Sequence, residues 1–219
     1  MSLLSTLSFP TFVEDSHALN QVVVDFDTYI NGTQVPSLEV ISNQYAEWAV
    51  VFTPFRAYNL SALEPGFASA TSNYSEPNVG GLTPSVSFAP YNFINFTAWF
   101  KDNSTEDTLY TDFVSVKVGD NNIGTLSGNL TAYNTDGQQI GFAECFTTDQ
   151  SFHTLTISRP TPDIAYVTFW TDSDGACIDD FTFNMPVVPE FQPSFLLLSS
   201  MIVFFILIVI RRKDSRPDL

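Results

Sequence analysis

Residues 130–142 read Leu130-Thr131-Ala132-Tyr133-Asn134-Thr135-Asp136-Gly137-Gln138-Gln139-Ile140-Gly141-Phe142. Two short runs flank an Asp-Gly pair, which accepts the positive φ that tight hairpin turns require. The stretch therefore predicts two antiparallel strands joined by a turn. Upstream, Phe113–Val118 reads FVSVKV and alternates apolar and polar with period two. Downstream, Phe152–Ile157, Ile164–Trp170 and Ile178–Phe183 carry the same kind of pattern. Towards the N-terminus, Val22–Phe26, Trp48–Phe52 and Phe93–Phe100 are short, β-branched or aromatic runs. Turn signals punctuate them: Asn31-Gly32, Pro65-Gly66, Gly80-Gly81, Gly119-Asp120 and Asp172-Ser173-Asp174-Gly175. About nine to eleven short strands, with no helical pattern before Ser194, predict an all-β fold, an antiparallel sandwich of two sheets. Residues 61–90, rich in Pro, Gly, Ser and Asn, read as a long exposed loop within it.

The chain has 219 residues, of which 21 are Phe, and 44% are hydrophobic. That is enough apolar surface for one domain with a sizeable core. The net charge is −16. Four of the eight basic residues fall in the last nine positions, and residues 1–193 hold Arg56, Lys101, Lys117 and Arg159 against 22 acids, a net charge of −18. Such a surface repels nucleic acid, which is excluded as a partner.

The C-terminal segment has a different character. Residues 194–210, SFLLLSSMIVFFILIVI, carry no charge and run into Arg211-Arg212-Lys213. As a helix the stretch would rise about 25 Å, close to the thickness of a bilayer core. It is read as a single transmembrane helix, with the basic tail 211–219 cytoplasmic and the body outside the cell membrane. Met185–Pro193, MPVVPEFQP, is read as a stiff spacer, and residues 1–20 as an N-terminal leader or arm. The ectodomain then spans 21–184.

Six Asn-x-Ser/Thr sequons fit an external location: Asn31, Asn59, Asn73, Asn95, Asn103 and Asn129. The two cysteines, Cys145 and Cys177, have two readings. A disulfide between them would close a loop of about 33 residues and stabilise by roughly 3–4 kcal/mol. Otherwise they are buried thiols that act as small hydrophobes. No catalytic set is evident, because His17 and His153 have no nucleophile or metal-ligand motif around them.

The tail also resembles a known sorting signal. Pro189-Glu190-Phe191, an apolar span and the cluster Arg211-Arg212-Lys213 together resemble the PEF-CTERM tail of archaeal surface proteins, the counterpart of the bacterial PEP-CTERM signal. The resemblance implies recognition by an exosortase-like or archaeosortase-like membrane protease, with release or re-anchoring after processing. The body, from VVVDFDTYINGTQVPS to Ile178-Asp179-Asp180-Phe181-Thr182-Phe183, is similar to domains found upstream of such tails. Those are galactose-binding-like jelly rolls, so a jelly-roll sandwich is expected.

In such jelly rolls the first and last strands lie side by side. That would bring Asp25 and Asp27, which share one strand face, towards Asp179 and Asp180. Together they are candidate ligands for a structural Ca²⁺, because a hard cation takes several oxygens. Trp48, Trp99 and Trp170 could pack the core or stack on sugars. The first functional expectation is a glycosylated, membrane-tethered protein with a structural or interaction role among envelope components. The second is a lectin-like module that holds a glycan, with Ca²⁺ as a cofactor. An enzyme is not expected.

Overall fold

The computed structural model describes residues 21–59, 75, 77–82, 95–120, 126–147, 151–171 and 176–188. Twelve strands run through them: β1 (Gln21–Val24), β2 (Val40–Ile41), β3 (Val50–Phe52), β4 (Phe55–Asn59), β5 (Asn78–Leu82), β6 (Asn95–Phe100), β7 (Phe113–Asp120), β8 (Leu126–Tyr133), β9 (Gln139–Thr147), β10 (His153–Ser158), β11 (Tyr166–Thr171) and β12 (Ala176–Asn184). The one helical element among the described residues is a 3-10 turn, Ala46–Trp48. The strands lie within the compact unit that ends at Val187.

Two antiparallel sheets result. The larger has seven strands in the order β10-β7-β12-β5-β4-β2, with β1 also paired to β12. The smaller has the order β3-β6-β11-β8-β9. Only the β1–β2, β4–β5 and β8–β9 connections stay within one sheet. The β8–β9 connection is the hairpin read from the Asp-Gly pair. Gly137 has φ +73° and its N–H donates to the Asn134 carbonyl at 3.1 Å.

The phenylalanines explain the core. Phe26, Phe52, Phe55, Phe96, Phe169 and Phe181 meet edge-on, tilted or stacked, with ring centroids 5.3–6.2 Å apart. These spacings are those at which aromatic pairs attract beyond their area burial. Val114, Val116 and Val118 of β7 are fully buried by the same alternation that marked the strand in the sequence.

Residues 61–90 are not wholly loop, because β5 sits in the seven-stranded sheet between β4 and β12. Its Gly80 does not mark a turn. A Cβ there would lie 2.6 Å from the Phe55 ring and 3.1 Å from Ile178, so the bare backbone is what lets β5 approach. The strands β2 and β4 carry no clear sequence pattern, being short or broken by Arg56. Ile164 precedes β11 and makes only a bridge to Thr111.

The disulfide, one of the two readings of the cysteine pair, is not formed. Cys145 is on β9 of the smaller sheet and packs against the main core. Cys177 is on β12 of the larger sheet, fully buried on its other face with Tyr58, Val79 and Phe152. Different sheets and different clusters separate the two thiols, of which Cys145 is only half-buried.

No helix among the described residues is long and apolar enough to cross a membrane. The span 194–210, the motif Pro189-Glu190-Phe191, the cluster Arg211-Arg212-Lys213 and the arm 1–20 lie outside the described residues. The expected spacer begins as part of the sandwich: Val187 and Tyr110 exchange two backbone hydrogen bonds, of 2.9 and 3.0 Å.

Candidate functional site

The outer face of the five-stranded sheet follows directly from strand alternation. On β6, Phe96, Ala98 and Phe100 point into the core, so Asn95, Thr97 and Trp99 point out. On β11, Val167 and Phe169 point in, so Tyr166, Thr168 and Trp170 point out. On β8, Leu130 and Ala132 are buried, and Asn129, Thr131 and Tyr133 lie on the opposite side. On β9 the outward set is Phe142, Glu144 and Phe146, all exposed.

Pairing register turns these sets into rows across the sheet. Trp99, Tyr166 and Tyr133 form one row. The Tyr133 and Tyr166 rings stack at 4.8 Å with 9° between their planes. Thr97, Thr168, Thr131 and Phe142 form the next row. Asn95, Trp170, Asn129 and Glu144 form the third. Neighbours within a row have Cβ atoms about 5 Å apart. Trp170 is 42% exposed, Phe142 50% and Phe146 76%. The face thus offers an open indole with an amide on either side and a carboxylate one strand further. Along β11 it runs about 13 Å from Tyr166 to Trp170.

A pocket of about 190 Å³ lies beside the tyrosine end, lined by Trp99, Lys101, Thr108, Thr135 and Tyr166 among others. It is smaller than the usual small-molecule cleft, so the open face is the larger feature. The Lys101 ammonium there lies 3.5 Å from Glu106. None of the three tryptophans is in the central core: Trp48 is half-buried and stacks on Tyr45 at 5.8 Å.

The four candidate calcium ligands do converge, because β1 pairs with β12 from Gln21↔Asn184 to Val24↔Phe181. Between Asp179 and Thr182 the register of β12 on β7 slips, and Asp180 takes φ +43° in this bulge. Their oxygens, however, face protein donors. Asp25 Oδ1 accepts from the N–H groups of Asp27 at 2.9 Å and Thr28 at 3.1 Å. Asp27 Oδ1 accepts from the Asn78 N–H at 2.6 Å. Asp179, fully buried, accepts from the Ser75 N–H, from the Ser75 hydroxyl at 2.9 Å and from the Asp180 N–H at 2.8 Å. Asp180 Oδ2 lies 2.5 Å from Lys117 Nζ. No group of three or more metal-ligating side chains is placed to hold an ion among the described residues. As they stand, the four acids do not fit a calcium site.

They fit a structural clasp instead. Burial, and then the charge of Asp180, push the Asp179 carboxyl up to about 8, against the lowering effect of its N–H and O–H donors. Asp27 is raised by burial, although the Asn78 N–H and Ser75 draw it back down. Asp179 is therefore largely protonated at neutral pH and ties Ser75 to the last strand.

The sequons scatter. Asn31 and Asn103 are exposed in turns, and the Asn31 carboxamide accepts from the Thr33 hydroxyl at 2.7 Å. Asn59 ends β4, and Asn73 lies outside the described residues. Asn95 and Asn129 alone share a row with an exposed tryptophan. His153 lies on β10 with Nε2 3.2 Å from Ser151 Oγ, and His17 is outside the described residues.

No protein-family model and no curated protein matches the chain. Among solved structures, it is similar to a DUF4465 family protein from Bacteroides caccae, with 12% identity and a TM-score of 0.46, covering 76% of this chain and 99% of that one. It is also similar to an arabinose-bound α-L-arabinofuranosidase (11% identity, TM-score 0.38, 76% of this chain and 29% of that one). A family 29 carbohydrate-binding module gives 13% identity and a TM-score of 0.30, over 65% of this chain and 99% of that one. None of these three reaches a TM-score of 0.5.

Proposed function

We propose that this protein is a membrane-tethered, cell-surface carbohydrate-binding module, not an enzyme, whose receptor is the outer face of the five-stranded sheet. One observation carries the reading: the exposed Trp170 stands in register between Asn95 and Asn129, with Glu144 beyond. A sugar ring has an apolar face of C–H groups and a rim of hydroxyls. An indole takes the first, while amides and a carboxylate take the second. A purely structural domain has no need of an open indole so placed. The sandwich, with most connections crossing between sheets, is read as a jelly roll.

The tether is carried by residues 194–210 and the cations that follow. With Pro189-Glu190-Phe191 they form the PEF-CTERM-type tail, whose processing enzyme would be an archaeosortase-like protease. The body's −18 charge favours neutral or amino sugars over acidic polymers.

The test is a glycan array probed with the full chain, made in a host without N-glycosylation and held in detergent, with and without chelator. Binding to a neutral or amino-sugar glycan, weakened about tenfold in Trp170→Ala and kept in chelator, is expected. Binding unchanged in Trp170→Ala, or no binding to any glycan, would remove the reading. Fractionation of the native cell should place the full chain with membranes.

A further inference from the structure

Trp170 has a neighbour whose chemistry reaches beyond hydrogen bonding. Asn95-Phe96-Thr97 and Asn129-Leu130-Thr131 are both sequons, and both asparagines flank this indole. In each, the Asn and the Thr lie two apart on a strand and so on one outer face. The two positions differ in access. Asn129 is half-buried in mid-strand, with Trp170 on one side and Glu144 on the other, and its Thr131 is buried. Asn95 is exposed and is the first residue of β6. The neighbouring β3 stops at Phe52, opposite Ala98, and leaves that flank of Asn95 without a paired strand among the described residues.

We propose that Asn95 carries an N-linked glycan whose first sugars lie on Trp170 and close the aromatic face to free carbohydrate. This rests on the reading of that face as a carbohydrate receptor. The modification forms a bond between the Asn95 amide nitrogen and C1 of the donor sugar. It breaks the bond from C1 to the phosphate of a lipid-linked oligosaccharide, and the amide proton leaves with the phosphate. From Asn95 the attached sugar starts one strand spacing, about 5 Å, from Trp170. It is tethered there, so its effective concentration at the indole exceeds that of any ligand in solution. A glycan bulky enough to solubilise a surface is also bulky enough to cover this row. The face would then be open only on chains that escaped modification or lost the sugar.

Thr97→Val gives a clean test. It removes the sequon while leaving Asn95, Trp170 and the shape of residue 97 in place. The hydrogen bonds between Thr97 and the Thr53 hydroxyl run through the Thr97 backbone, so the variant keeps them. The full chain, wild type and Thr97→Val, is purified from a glycosylating host, with Thr131→Val as the comparison. Peptide mass mapping reads occupancy at Asn95. Hydroxyl-radical footprinting reads the accessibility of Trp170. Binding of the glycan that the array identifies, or of immobilised chitohexaose if it identifies none, reads the free face.

Expected are a sugar on Asn95 in wild type and Thr131→Val, Trp170 labelled at least threefold less than in Thr97→Val, and free glycan bound only by Thr97→Val. An unmodified Asn95, or equal labelling of Trp170 in all three chains, would overturn the inference. So would equal glycan binding by modified and unmodified chains, although the receptor reading would then survive. If Asn95 is modified and Trp170 shielded but no chain binds free glycan, the receptor reading falls and the self-glycan remains as the indole's occupant.

Discussion

At the scale of single residues, Trp170 and Asp179 show how neighbours decide what a side chain does. Trp170 is outside the core, so its loss should touch binding and not folding. Trp170→Ala is expected to weaken glycan affinity about tenfold, ~1.4 kcal/mol, as read by titration calorimetry. The melting temperature should stay where it was, and a fall would show that the indole supports the sheet instead. Asp179 is the converse, a core residue with a titratable group. Its carboxyl holds a proton up to about pH 8 when folded and to about pH 4 when unfolded. The folded state therefore binds the proton more tightly. Its contribution to stability is complete below pH 4 and declines as the pH rises through 8. Asp179→Asn cannot ionise, so its melting temperature relative to wild type should climb from about pH 5 to about pH 9. A difference that stays flat would mean that Asp179 is already charged. Neither role was visible in the sequence. Asp179-Asp180 reads as a solvated acidic pair or as half of a cation site, and only the approach of Ser75, 104 positions away, shows otherwise. Trp170 reads equally well as core, because its exposure depends on which way β11 faces.

At the scale of elements, legibility followed periodicity. The strands β7 to β10 and β12 alternate apolar and polar residues, or are bounded by a hairpin turn, and the sequence places them within a few residues. The strand β5 was hidden because its two glycines carry the signature of a turn. The glycine at 80 is there for packing, which gives a discriminating pair of substitutions. Gly80→Ala drives a methyl into the buried Phe55 ring and should destabilise by about 1–3 kcal/mol in denaturant titration. Gly128→Ala meets Phe169 and Val118 at 3.5–3.6 Å, an ordinary contact, and should be near neutral. Equal costs at the two sites would mean that β5 does not lie against Phe55 as described. The outer face of the five-stranded sheet is illegible for a related reason. Its rows are made of residues from four strands, and period-two alternation tells which residues share a face but not which strands are neighbours.

At the scale of the whole molecule, two sheets with separate apolar clusters account for the behaviour of the thiols. Alkylation of the native protein should leave Cys177 unmodified. Unfolding without reductant should release two reactive thiols, and a mass 2 Da lower, with none released, would restore the disulfide. The reading of an antiparallel two-sheet sandwich from alternation and turns matches the observed architecture. The strand order does not follow from the sequence, because it is set by long-range pairing. That order has a kinetic side. The strand β12 is the last of the twelve to be synthesised, yet it holds β7 on one edge and both β1 and β5 on the other. A ribosome that has delivered everything up to Thr171 has made a larger sheet with its middle missing. The unjoined edges of β7, β5 and β1 must wait for the final segment, so the domain acquires its native form in one late step after β12 emerges, and until then it is a client for chaperones.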